Sequence, residues 1–294
     1  MASHPPSATP GRPGGLSRQE LVERVASIPW YHAIDLGQGV VTPGSPPNPR
    51  LLAEGLPDFA GKSVLDIGAW DGQFSFLAER RGARRVVALD HYAWCVDFAA
   101  RHEYWRQCAQ AGVLPDHRRD LTDFWRPDEM PGRAGFDLAR QVLGSQVEPV
   151  VGDFMELGPA ELGRFDVVLF LGVLYHLREP LSALERVREL TQGLAVIETE
   201  AIAVVGMPRA RLLDFYPGDE FRGDHTNWFV PTADALVAMC RAAGFARAEV
   251  KVGPPAQLAQ ARALLRRLAR GRAGDEPAQA GLQRYRVVVH ALVS

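Results

Sequence analysis

Along the chain of 294 residues, short continuous apolar runs alternate with stretches whose apolar positions recur at helical spacing. Ser63–Ile67, 85–89, 147–151, Phe165–Leu171 and 194–198 read as five strands. Apolar runs with few polar breaks are what strands covered on both faces display. Between them, helices are predicted at 73–81, 93–111, 136–142, Pro180–Leu190 and 232–243. An earlier helix starts at Arg18, carries Leu21, Val22 and Val25 on one face, and stops before Pro29. Strands alternating with helices of this length argue for a parallel sheet. Segments 246–252 and 285–293 break the alternation and suit an antiparallel edge. The expected fold is α/β: a doubly wound, Rossmann-like sheet, mostly parallel with an antiparallel edge strand, and helices on both faces.

Three regions follow. Residues 1–16, rich in Pro, Gly, Ser and Ala, are expected to form a disordered leader. Residues 17–60 form an N-terminal element with one helix and a turn-rich stretch. Residues 61–294 form the main domain, interrupted at 254–281 by a basic amphipathic segment carrying Arg262, Arg266, Arg267, Arg270 and Arg272. With 33 basic and 35 acidic groups the net charge is −2, so no bulk positive field draws nucleic acid to the chain. Lys62 and Lys251 are the only lysines. Three scattered cysteines form no framework, no apolar run approaches the ~18 residues of a membrane span, and the N-terminus has no signal-like core. A soluble, cytoplasmic protein without metal or membrane anchor is the expectation.

The strand ends carry the chemistry. Val64-Leu65-Asp66-Ile67 runs into Gly68-Ala69-Trp70-Asp71-Gly72, a glycine turn that opens a helix. Ligands of doubly wound sheets sit at the carboxyl ends of the strands, and a glycine there lets backbone approach them. Asp90 ends the second strand, where it suits a ribose diol. Asp153 ends the third, where an adenine amino group can be read, with Phe154 beside it and Gly172 after the fourth strand. A dinucleotide enzyme wants G-x-G-x-x-G. Here bulky Trp70 and acidic Asp71 separate the glycines, and an acidic turn repels pyrophosphate. It suits a cationic sulfonium with an ammonium group, which is S-adenosyl-L-methionine.

This constellation resembles the class I S-adenosylmethionine-dependent methyltransferases. LDIGAWDGQFSFLAERRGA, FLGVLYHLREPLSALERVREL and HTNWFVPTADALVAMCRAAGF together resemble the tRNA wobble-uridine (5-methoxyuridine or 5-oxyacetic acid uridine) methyltransferase-like family, over residues 28–252. Trp30-Tyr31-His32 with Thr42-Pro43-Gly44 looks like its N-terminal element. The resemblance implies a methyl acceptor in tRNA. The carboxymethyl-transferring members hold their cofactor's carboxylate with a lysine upstream of the glycine strand and the tyrosine of GVLYH. Tyr175 is present, but the upstream stretch reads Pro47-Asn48-Pro49 with no lysine before Lys62, which favours methyl transfer.

An in-line methyl transfer asks the protein mainly for alignment, with a weak base for a phenol-like hydroxyl. His176 is the candidate base and Tyr175 its neighbour. Tyr31, His32, Asn227 and Trp228 are candidate acceptor contacts, Trp228 by stacking on a planar ring. Glu198 ends the fifth strand and faces the site or closes an edge. Two other readings stay open: a natural-product-like small-molecule O-methyltransferase, and a non-catalytic S-adenosylmethionine- or RNA-binding module.

Overall fold

A computed structural model describes residues 16–254, 256 and 282–294. The predicted leader and the body of the basic insertion lie outside the described residues. The central sheet has seven strands: β1 Ser63–Ile67, β2 Arg85–Asp90, β3 Glu148–Val151, β4 Phe165–Leu171, β5 Thr191–Val204, and two late strands, Arg247–Val252 and Leu282–Leu292. Their spatial order is β3-β2-β1-β4-β5, then Leu282–Leu292, then Arg247–Val252 at the edge. The first five are parallel, and Leu282–Leu292 runs antiparallel to both neighbours. The order reverses between β1 and β4, which places the switch-point crevice beside Gly68.

Alternation across the sheet explains the apolar runs. Leu65, Ile67, Val87, Leu89, Val168, Phe170, Ala195 and Ile197 fill one core layer, while Val64, Val86, Ala88, Val167, Leu169 and Val196 fill the other. β1, β2, β4 and β5 therefore each serve two cores, while β3 and Arg247–Val252 at the sheet's edges are partly exposed. Helices α1 Arg18–Ala26, α2 Gln73–Arg80 and Ala134–Leu143 pack on the second layer, and Pro180–Leu190 and Ala233–Ala242 on the first.

Two expectations need correction. The predicted helix 93–111 is two pieces, α3 Tyr92–Cys95 and α4 Phe98–Ala111. Asp97 starts the second by capping the Ala100 N–H at 3.0 Å, and Val96 leaves the helix to bridge Trp125. The fifth strand does not stop at Glu198: β5 continues to Val204, paired to the end with the strand predicted from 285, which starts at Leu282. Glu198 and Glu200 interrupt the apolar run, yet both are buried within the strand. Arginines from neighbouring segments meet them, as described below.

Completing the strand numbering, a small hairpin of β6 Leu213–Phe215 and β7 Phe229–Pro231 leans on this extension. β8 and β9 are then Arg247–Val252 and Leu282–Leu292. Ile202, Tyr216, Phe221 and Val230 form a third, small core there. Among the described residues no helix is long and apolar enough to cross a membrane, and no group of His, Cys, Asp and Glu is arranged to hold a metal.

Candidate functional site

β1 ends in a turn whose backbone is left-handed at Gly68, Trp70 and Gly72, with φ of 77°, 45° and 82°. A side chain is tolerated poorly there, and Trp70 is bulky. What holds it is stacking. Its ring lies 4.1 Å from Tyr31 at 5° and 5.2 Å from Phe98 at 11°, and its carbonyl accepts the Trp94 indole N–H at 2.8 Å. The glycines are required by packing: a Cβ on Gly68 would lie 2.5 Å from Val173, and one on Gly72 would lie 2.7 Å from both Phe76 and Phe136.

The acidic residues of this turn are buried and take separate partners. Asp66 accepts the Ser75 hydroxyl at 2.6 Å. Asp90 accepts Trp70 N–H at 2.9 Å through one oxygen, and His91 N–H at 2.7 Å and Ala93 N–H at 2.9 Å through the other. The geometry gives Asp71 a task beside the one its acidity suggested. Its carboxylate accepts the N–H groups of Tyr31 at 2.7 Å and His32 at 2.8 Å, clasping the N-terminal element to the turn. Gln73 adds a bond to the Ala33 carbonyl at 2.9 Å. Burial pushes Asp66, Asp71 and Asp90 each up to about 6, and the charge of Asp90 adds to the rise at the other two. Among the described residues no lysine or arginine pairs with any of them; Asp71 has only His32, at 3.7 Å, whose own value burial depresses to about 4.

Across the crevice, a short turn Leu174–His176 follows β4. The segment 222–228 is pinned to it by Trp228 N–H on the Tyr175 carbonyl at 2.8 Å. His176 Nδ1 lies 2.9 Å from the Thr226 hydroxyl and 3.3 Å from its carbonyl. Tyr175 is buried, which pushes its hydroxyl up to about 12. The Arg286 guanidinium sits 5.7 Å above its ring. Arg286, from β9, is held by both oxygens of Glu198 and by Glu200 at 3.1 Å, and Arg222 meets Glu200 at 2.8 Å. Burial works against the charge on Arg286, yet Glu198, Tyr175 and Glu200 keep it firmly protonated. Here the charges are paired.

Residues 47–250 match the family described as "Methyltransferase domain". The chain belongs to that family. The tRNA U34 carboxymethyltransferase of Dichelobacter nodosus (strain VCS1703A) is 29% identical to this methyltransferase-family chain over 195 residues, covering 65% of this chain and 47% of that protein. The protein of the same name from Marinobacter nauticus (strain ATCC 700491 / DSM 11845 / VT8) is 25% identical over 200 residues, 68% of this chain and 48% of that one. The chain thus spans about half the length of the curated relatives it matches. Among solved structures, the N-terminal domain of EvdMO1, crystallised in the presence of SAH and D-fucose, superposes with a TM-score of 0.58 at 18% identity. That match covers 97% of this chain and 100% of that one, so the two share their fold over nearly the whole chain.

Within this family frame the sequence candidates separate into groups. Asp66, Gly68, Trp70, Asp71, Gly72 and Asp90 converge on one turn, with Tyr31 and His32 clasped above it. Tyr175, His176 and Gly172 converge across the crevice, where a Cβ on Gly172 would lie 3.2 Å from the Arg286 guanidinium and 3.8 Å from the Tyr175 hydroxyl. Asp153 lies at the end of β3 and caps its own turn through Met155 N–H at 2.9 Å. Phe154 faces the core, 5.4 Å from Phe170. Asn227 is buried and donates to the Phe221 carbonyl at 2.8 Å, so it shapes its loop. Trp228 is engaged by Arg178 at 4.4 Å and His117 at 4.7 Å. Sequence reasoning missed Arg286, Glu200, Asp224 and Thr226. The strand period alone puts Arg284 and Arg286 on one face, but not which strand they meet.

Proposed function

We propose that this chain transfers a methyl group from S-adenosyl-L-methionine to a hydroxyl of a planar acceptor, with the wobble uridine of tRNA as the first candidate. The observation that carries the reading is the set of buried carboxylates at the glycine turn, Asp66, Asp71 and Asp90, left without a lysine or arginine partner among the described residues. A sulfonium and an ammonium are the charges such a site lacks, so the residues present fit this cofactor. Gly68, Asp66 and Asp90 would hold it, with Trp70 and Tyr31 as the wall on the N-terminal side. When bound, the cofactor supplies an electrophilic methyl whose bond to sulfur breaks with its electron pair going to sulfur.

The protein's part is alignment, exclusion of water by the aromatic wall, and removal of the acceptor's proton by His176. Methyl transfer is preferred to carboxymethyl transfer although the relatives are named for the latter. The upstream lysine is missing, and Arg286 beside Tyr175 already has Glu198 and Glu200 as partners, so among the described residues it offers no unpaired charge to an added carboxylate. The relatives' names support tRNA, and with it a cytoplasmic setting.

A small planar acceptor is the second reading. It is favoured by the net charge of −2, which sets up no bulk attraction for a polyanion, and by the pairing of surface arginines such as Arg84, Arg85, Arg118, Arg119, Arg222 and Arg247 with carboxylates. Incubation with methyl-labelled cofactor and bulk unmodified tRNA tests the choice. Incorporation into the wobble position supports the first reading, and none at high enzyme concentration removes it.

A further inference from the structure

Three groups in the segment 222–228 and the Leu174–His176 turn form a directed chain. The Thr226 hydroxyl donates to Asp224 Oδ1 at 2.7 Å, and the Thr226 N–H donates to the same oxygen at 2.8 Å. The single hydroxyl proton is therefore committed to Asp224, and toward His176 the Thr226 oxygen can only accept. The second neighbour of His176 Nδ1 is the Thr226 carbonyl, which accepts and never donates. Both contacts require a proton on Nδ1, which leaves the lone pair of the neutral ring on Nε2.

We propose that Thr226 and Asp224 are positioning residues that fix His176 with its proton on Nδ1 and its lone pair on Nε2, ready to take the acceptor's proton. The inference rests on the assignment of His176 as the base. In the step, the acceptor O–H proton passes to Nε2 and the oxygen's electron pair forms the new bond to the methyl carbon, as the methyl–sulfur pair goes to sulfur. The resulting imidazolium keeps its Nδ1–H on Thr226, facing the Asp224 charge through one hydroxyl. Asp224 is itself partly buried. Burial raises its carboxyl, but the His176 charge and the two Thr226 bonds outweigh that and hold it below the usual carboxylate range. Other charges reach His176 from α4 (Arg101) and β9 (Arg286), and both oppose its protonation, while burial lowers it most. Asp224 is the counterweight that keeps the ring basic.

The test uses the full chain with labelled histidine, the His176 signal being identified by its loss in His176→Gln. Nitrogen and carbon shifts are expected to report an Nδ1–H tautomer that Thr226→Val erodes and Thr226→Ser restores. In parallel, methyl transfer to the free nucleoside 5-hydroxyuridine is followed against pH. Asp224→Asn is expected to move the acid limb of kcat to lower pH and lower kcat by roughly an order of magnitude with KM little changed, which a purely structural loop residue would not do. An Nε2–H tautomer in the native chain overturns the proposal, as does a Thr226→Val variant with native tautomer and native kcat. A native chain with the Nδ1–H tautomer that methylates neither 5-hydroxyuridine nor tRNA supports the relay and removes those acceptors.

Discussion

The two banks of the crevice treat charge in opposite ways. On the glycine-turn bank, Asp66, Asp71 and Asp90 are buried together with no lysine or arginine beside them among the described residues, and each is lifted to about 6. On the opposite bank Glu198 and Glu200 are equally buried, yet Arg286 and Arg222 meet them. Burying a charge is costly unless it is paired, so the first bank holds free energy that a cation can release and the second does not. Under the proposed function the contrast separates the tasks: one bank would be completed by a cationic ligand, and the other would hold the base and its fixed partners.

The largest effect should come from Gly68→Val. The substitution combines a left-handed backbone, at about 1–2 kcal/mol, with overpacking against Val173, at about 1–3 kcal/mol. Calorimetric titration with S-adenosylhomocysteine should show binding abolished, and native affinity would detach the turn from the cofactor. On the other bank, His176→Ala should leave that titration unchanged and slow transfer by about 10²–10⁴. Equal loss of binding and rate would erase the division between the banks. Next, Asp71→Ala removes two hydrogen bonds to a carboxylate, worth about 1.5–3 kcal/mol each. It should lower the melting temperature and speed amide exchange over residues 31–45, and unchanged exchange there would mean the element is held by other contacts.

The smallest effect is the dependence on pH. Folded values near 6 exceed the unfolded value of 3.8, so the empty fold binds protons that the unfolded chain releases. That contribution to stability is present at low pH and is lost as pH rises through about 6. A cation favours the ionised carboxylates, so its affinity moves the other way. The melting shift produced by S-adenosylmethionine should widen from pH 5 to pH 7, and a flat shift would mean the carboxylates and the ligand are uncoupled.

β1, β2, β4 and β5 could be read from the sequence because each is largely buried on both faces and so carries its own signal. Phe165–Leu171 matched the structure at both ends. The turn at 68–72 was legible for the same reason, since strand, glycine and helix start are neighbours in the chain. What escaped depends on partners far away in sequence. Arg286 reaches Glu198 across 88 positions, and no local pattern announces that the two will neutralise each other. His176 reaches Thr226 across 50, so the HTNW segment drew attention to Asn227 and Trp228 while the hydroxyl between Asp224 and His176 passed unnoticed. Asp71 shows a third kind of limit: its acidity drew attention to chemistry, and nothing local announced that one of its oxygens also accepts the backbone N–H groups of residues 31 and 32.

That clasp also sets an order of assembly. The bonds from Tyr31 and His32 to Asp71 close a loop of about forty residues, and they can form only once the left-handed turn after β1 exists. Residues 31–45 are thus tied to the turn, and a local opening of that turn frees them as well. Trp70 would stay with the turn, bonded to Asp90 and stacked on Phe98, while Tyr31 leaves its other face, so the crevice is exposed with the sheet still standing.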